Sequence, residues 1–168
     1  MSESLFELRP PTEADIEWVV RRHGEIYAME YGWDEGFRDL VAEIADAFLR
    51  NFDPRRERCW IAERHGRRIG CVFLVRKSDD IAQLRLLLVE PDARGLGLGR
   101  RLVQECIDFA IASGYSKMQL WTNDVLLSAR KIYEAAGFEL IESEAHASWG
   151  KPLVSQTWEL DLGLSRNG

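Results

Sequence analysis

The sequence contains no apolar run approaching the ~18 residues that a membrane-crossing helix requires. Its opening stretch, Met1 to Glu7, has neither the basic start nor the apolar core of a secretory leader. A soluble, cytoplasmic protein with no membrane partner is the expectation. Cysteine is scarce: Cys59, Cys71 and Cys106 lie 12 and 35 positions apart, which suits neither a disulfide framework nor a CxxC metal site. They read as reduced core residues. The three histidines, His23, His65 and His146, lack metal-ligand spacing and no HExxH is present, so no metal is expected. Positive charge is in deficit, with a formal net charge of −6, and bulk electrostatics therefore give no reason to expect nucleic acid as a partner.

What is present suits a folded chain. Apolar residues make up 46% and charged residues 30%, a globular balance. The 168 residues suffice for one core, and with no repeat and no linker the expected organisation is one domain over 1–168. Leu5 to Arg9 reads as a short strand stopped by Pro10-Pro11, after which Thr12 and Asp15 supply helix-start chemistry. Ile16, Val19, Val20, His23, Ile26 and Tyr27 share one helical face, and Phe37, Leu40, Val41, Ile44 and Phe48 share another. A hairpin follows, with Cys59 to Glu63 and Ile69 to Val75 joined at His65-Gly66-Arg67. Ala82 to Val89, almost continuously apolar, reads as a central strand covered on both faces. Beyond it come a helix through Leu102 to Ala110, a strand over Lys117 to Thr122, a helix ending at Gly137, and strands over Phe138 to Ala145 and Val154 to Leu162. This alternation predicts a three-layer α/β domain around a mixed sheet.

The most specific local signal is the order strand, Pro91, Arg94-Gly95-Leu96-Gly97-Leu98-Gly99-Arg100, helix. Alternating glycines let backbone approach a ligand closely, and the first N–H groups of the following helix point outward without partners. Such a junction suits phosphate oxygens, with Arg94 and Arg100 able to add charge-assisted contacts. Position 100 is Arg, which excludes G-x-G-x-x-G, and the absence of Gly-Lys-Ser/Thr excludes a P-loop.

The loop matches R/Q-x-x-G-x-G/A at Arg94, Gly97 and Gly99, and Thr122 to Phe138 ends in Tyr133-Glu-Ala-Ala-Gly-Phe138 with Asn123 ten positions before Tyr133. Together these resemble the two signatures of the GNAT superfamily of N-acetyltransferases. More narrowly, Trp18 to Leu162 resembles the acetyltransferase half of bacterial fusions that carry a MarR-type helix-turn-helix domain. The resemblance implies a central sheet of six to seven strands flanked by about four helices, with acetyl-CoA as co-substrate. It implies that Leu87, Leu88 and Val89 offer backbone groups to the pantetheine arm and that Arg94, Gly95, Leu96, Gly97, Leu98, Gly99 and Arg100 hold the pyrophosphate. Asn123, Ser128 and Tyr133 would lie beside the cofactor. Homodimers are common in such folds, though no feature of this chain fixes one.

The resemblance further implies direct transfer to a primary amine, with Tyr133 donating a proton to the departing thiolate; on spacing alone Tyr133 also reads as a core residue. Where some members carry a basic glutamate this chain has Gln83, which cannot take a proton, leaving Glu30 or a water chain for that task. Arg85, two positions after Gln83 and so on the same strand face, reads either as half of a structural ion pair or as a clamp for a substrate carboxylate. His23 shares a helix face with Tyr27, with Glu30 one turn further, and reads either as packing or as part of an acceptor-pocket wall. Tyr27 and Tyr31 are candidates for the acceptor pocket, with Trp33, His146 and Trp149 in the same segments. The competing function is a catalytically weak acyl-CoA-binding regulatory module.

Overall fold

The computed structural model describes residues 5–163. The N-terminal stretch read above for a leader lies partly outside them, as does the end of the expected domain. One mixed sheet of seven strands forms the middle layer, in the order β1-β2-β3-β4-β5-β7-β6. The strands are β1 (Glu7–Arg9), β2 (Arg58–Arg64), β3 (Arg67–Arg76), β4 (Ile81–Val89), β5 (Lys117–Asn123), β6 (Glu139–Ser148) and β7 (Lys151–Asp161). The helices are α1 (Glu13–Tyr31), α2 (Glu35–Asn51), α3 (Leu98–Ala112) and α4 (Leu127–Ala136). All neighbouring strands are antiparallel except β4 and β5.

Local chemistry explains the helix ends. Thr12 and Asp15 form a reciprocal capping box at the start of α1, and Gly32, at φ 71°, closes it with an N–H to the Ala28 carbonyl. The Asp34 carboxylate accepts from Gly36 N–H to start α2. α1 buries Ile16, Val19, His23 and Ile26, and α2 buries Val41, Ala45 and Phe48 against Cys71 and Phe73 of β3. On the opposite sheet face α3 buries Leu102, Val103, Cys106 and Ala110 against Val72, Leu74 and Leu84. The three layers are thus α1 and α2, the sheet, and α3 with α4.

β4 is the central strand, but its side chains do not alternate throughout. Ala82 and Leu84 pack on the α3 face, while Leu88, of the same parity, packs with α1 and α2. The register explains the change: Phe73 faces Arg85 and Cys71 faces Leu88, so two residues of β4 oppose Val72 alone. Leu86 sits in this bulge at φ 55°, a conformation that costs a non-glycine residue roughly 1 kcal/mol or more. β4 also pairs with β5 only from Ile81 to Leu84, after which the two strands part. The expectation of a strand covered on both faces holds, with Ala82, Leu84, Leu87 and Val89 in the α3-side core and Leu86 and Leu88 in the other; beyond Leu84 the edge of β4 toward β5 is open.

Gly70 keeps β3 close to β4 beside this bulge. A Cβ there would lie 2.7 Å from the Leu88 carbonyl oxygen and 2.9 Å from a Leu98 methyl. Because a backbone oxygen cannot turn aside, Gly70→Ala should lower unfolding stability by about 2 kcal/mol, read as a lower urea midpoint at unchanged slope.

The C-terminal hairpin is longer than expected. β6 and β7 meet at a two-residue turn in which Trp149 (φ 53°) and Gly150 (φ 81°) are both left-handed, with Ser148 opposite Lys151. Trp149 and His146, read as preceding the last strand, belong to this hairpin. The turn folds onto the α1–α2 junction, where Asp34 N–H donates to the Trp149 carbonyl and the Trp149 ring lies 4.6 Å from Trp33 and 5.1 Å from Phe37.

Candidate functional site

Two clefts open where β4 and β5 part. The larger, about 380 Å³, collects Leu87, Leu88 and Val89 of β4, and Arg94, Gly95 and Gly97 of the loop. Leu98, Gly99 and Arg100 of α3 and Ser128 of α4 complete most of the residues expected around a donor. Leu96 is not a wall; it packs on the α3-side core. Lys131 of α4 adds a cation that the loop motif did not announce.

Loop geometry makes this cleft suitable for an anion. Gly95 (φ 91°) and Gly97 (φ 76°) hold left-handed conformations, and a Cβ on either would meet nothing within 4 Å. The first bond of α3 runs from Arg101 N–H to the Gly97 carbonyl at 3.1 Å, so the N–H groups of Leu98, Gly99 and Arg100 lie ahead of the helical ladder. Gly99 also brings α4 close, since its Cβ would lie 2.6 Å from the Ile132 Cδ1.

Arg94 donates to Glu30 at 2.8 Å, and this bond raises the guanidinium's pKa. Glu30 therefore sits with Arg94 and Tyr31 on the larger cleft and is not a wall of the smaller one. The carboxylate named as a candidate base is thus in an ion pair with Arg94, away from the walls of the smaller cleft.

The smaller cleft, about 110 Å³, lies between α1, α2, β4, β5 and α4. Gln83 and Arg85 line it together, as their shared strand face implied. Arg85 has neither ion pair nor hydrogen bond among the described residues, which sets aside the structural ion pair, and burial lowers its pKa. Tyr133 and Asn123 belong to this cleft and not to the larger one. Asn123 Oδ1 lies 2.8 Å from His146 Nε2, whose Nδ1 lies 2.9 Å from Ser148 Oγ, so the imidazole donates to the amide and accepts from the serine. Tyr133 is 4% exposed, and burial raises its phenol pKa. Tyr27, Leu87, Leu126 and Ala129 wall both clefts, which are therefore adjacent. Tyr31 borders only the larger cleft.

His23 is both a core residue and a pocket wall. It is 1% exposed, its ring stacks on Tyr27 at 5.9 Å, and desolvation lowers its pKa to about 4. It lines the smaller cleft. Among the described residues no group of three or more His, Cys, Asp or Glu side chains is placed to hold a metal, and no helix is long and apolar enough to cross a membrane.

Comparison with known proteins returns one family. Residues 11–138 match the model described as "Acetyltransferase (GNAT) family". An uncharacterized N-acetyltransferase of Schizosaccharomyces pombe is 34% identical over 122 residues, spanning 71% of this chain and 74% of that protein. The N-acetylaspartate synthetase of Danio rerio is 31% identical over 61% of this chain, which spans only 36% of that protein. Among solved structures, Salmonella typhimurium yncA with its cofactor acetyl-CoA superposes with TM-score 0.76 at 17% identity, covering 96% of each chain. Spermidine N-acetyltransferase of Vibrio cholerae, in complex with CoA and spermine, gives TM-score 0.73 at 18% identity over 95% of this chain and 97% of that one.

Proposed function

The chain belongs to the acetyltransferase (GNAT) family, and on that footing we propose that it transfers an acetyl group from acetyl-CoA directly to a primary amine within one domain. The observation that supports this most is a phosphate-suited cleft adjoining a second, aromatic cleft where β4 and β5 part. The N–H groups ahead of α3, with Arg94, Arg100 and Lys131, hold the pyrophosphate end of the donor. The open edge of β4 after Leu84 offers main-chain groups to its pantetheine arm, and a β4 N–H stabilises the negative charge that acyl transfer places on the carbonyl oxygen. Tyr133 donates to the departing sulfur. Asn123, with its carbonyl oxygen engaged by His146, keeps its amide N–H groups for the cleft. Gln83 and Tyr27 shape the acceptor's entry.

The buried free thiols Cys59, Cys71 and Cys106 suit a reducing compartment, and the cytoplasm is part of this proposal. The narrower likeness to the acetyltransferase half of helix-turn-helix fusions enters only as a proposal about ancestry and carries no DNA-binding role. Relatives' names point to acceptors of opposite charge, aspartate in one case and a polyamine in the other.

Incubation with acetyl-CoA and a panel of primary amines, with free thiol monitored, should show thiol release matched by acetylated product. Tight CoA binding without thiol release from any amine would favour a regulatory acyl-CoA-binding module instead. Gly97→Val should raise the acetyl-CoA KM at least roughly tenfold and leave the acceptor KM unchanged, because a β-branched residue resists the left-handed conformation that aims the loop at the anion. An unaltered acetyl-CoA KM would remove the loop from the donor site.

A further inference from the structure

Two unpartnered polar side chains of the smaller cleft, His23 and Arg85, indicate what it could hold. His23 Nδ1 lies 2.7 Å from the Val19 carbonyl oxygen, so Nδ1 bears the proton and donates, and Nε2 presents a lone pair. No hydrogen bond reaches Nε2, and it is the one buried side-chain nitrogen or oxygen left so among the described residues. Because Nδ1 is tied back to its own helix, Nε2 turns away from the α1 backbone, beside the Tyr27 and Phe37 rings that wall the cleft. A buried acceptor without a partner is costly in a native chain and calls for a reason.

Arg85 is the second. Its guanidinium stays charged near neutrality despite burial, and no Asp or Glu lines the cleft with it. An acceptor of positive charge alone would be repelled there, whereas an anionic group would supply the missing partner in bidentate form. The cleft's 110 Å³ is the volume of a few water molecules, which suits the head of an amino acid.

We propose that the smaller cleft takes a primary amine bearing a carboxylate, an amino-acid-type acceptor, with Arg85 holding the carboxylate and His23 Nε2 accepting a hydrogen bond from the amine nitrogen. This rests on the acetyl-transfer reading above. Burial keeps the imidazole unprotonated at neutral pH, so it offers an acceptor and not a competing cation. The hydrogen bond orients the nitrogen lone pair toward the wall shared with the donor cleft.

The test compares acetylation of L-alanine and L-aspartate with that of their α-carboxamides and of spermidine. The free acids should exceed the amides at least roughly tenfold in kcat/KM. Arg85→Ala should erase that preference through acceptor KM with acetyl-CoA KM unchanged, and Arg85→Lys should restore part of it. His23→Phe gives up the Nδ1–H bond to the Val19 carbonyl together with the unpartnered Nε2, so its Tm should stay close to that of the parent while acceptor kcat/KM falls about tenfold. A histidine that merely packs would show the reverse. Equal use of acids and amides, or preference for spermidine, overturns the proposal and leaves acetyl transfer standing. CoA binding with no acetylation of any amine overturns the acetyl-transfer reading and this proposal with it.

Discussion

Tyr133→Phe is expected to lower kcat about 100-fold while leaving the acetyl-CoA KM within a factor of two. The magnitude is that of a positioned proton donor, roughly 10²–10⁴ in rate. Burial raises the phenol's pKa above its ordinary range, so the hydroxyl proton is in place throughout neutral pH. No hydrogen bond within the described residues occupies that hydroxyl, and the side chain lines the smaller cleft beside the walls shared with the donor cleft. The ring itself packs edge-on to Phe138 at 5.9 Å, a contact that phenylalanine would keep. Stability should therefore be unchanged or slightly higher, which separates chemistry from packing. An unchanged kcat would return Tyr133 to the core-residue reading that its place beside Ala129 and Ile132 also permits.

The larger cleft was legible because its chemistry is local. Alternating glycines at a strand-to-helix junction have few other uses, and Arg94, Gly95 and Gly97 to Arg100 line the cleft. The smaller cleft was harder to read because long-range geometry builds it. The run Leu84 to Leu88 carries no glycine or proline to mark the bulge at Leu86, so simple alternation puts Leu84 and Leu88 on one face, whereas the fold separates them. Pro152 and the lack of an Asn-Gly pair hid the tight turn at Trp149-Gly150, and with it the packing of Trp149 on Trp33. A histidine on an apolar helix face reads as packing; only the fold shows that Nε2 has no partner. Glu30 and Arg94, 64 positions apart, reveal their pairing in the same way.

The two clefts depend on where α1 stands, since His23, Tyr27, Glu30 and Tyr31 all come from it. Asp15 fixes its first turn. The carboxylate, fully buried, accepts from Arg9 at 2.6 and 2.9 Å, from Arg68 at 2.6 Å, and from the Thr12 N–H and hydroxyl at 2.6 and 2.9 Å. These bonds join α1 to β1 and β3 at once. Asp15→Ala should cost about 3 kcal/mol of unfolding free energy at pH 7, the lower end for a broken buried pair, because Arg9 and Arg68 keep 31% and 34% of their side-chain surface exposed and can rehydrate.

The pH dependence tests the cause. The Arg9 hydrogen bonds, foremost among the charge-assisted contacts, hold the Asp15 carboxyl well below the usual carboxylate range. A depressed carboxylate contributes stability that is fully present above the unfolded pKa, about 3.9, and is lost as pH falls below it. His23 acts in a separate window: with its folded pKa lowered to about 4 against about 6.5 unfolded, the unfolded chain binds the extra proton between those values and stability declines as pH drops through them. That decline should appear equally in parent and variant. Their difference should hold constant from pH 7 to about 5 and then shrink as the carboxyl of the unfolded parent is protonated. Urea unfolding at pH 7, 5 and 3 measures it. A difference that stays the same at pH 3 would mean that Asp15 acts by packing and capping alone and that its charge does not hold α1 to the sheet.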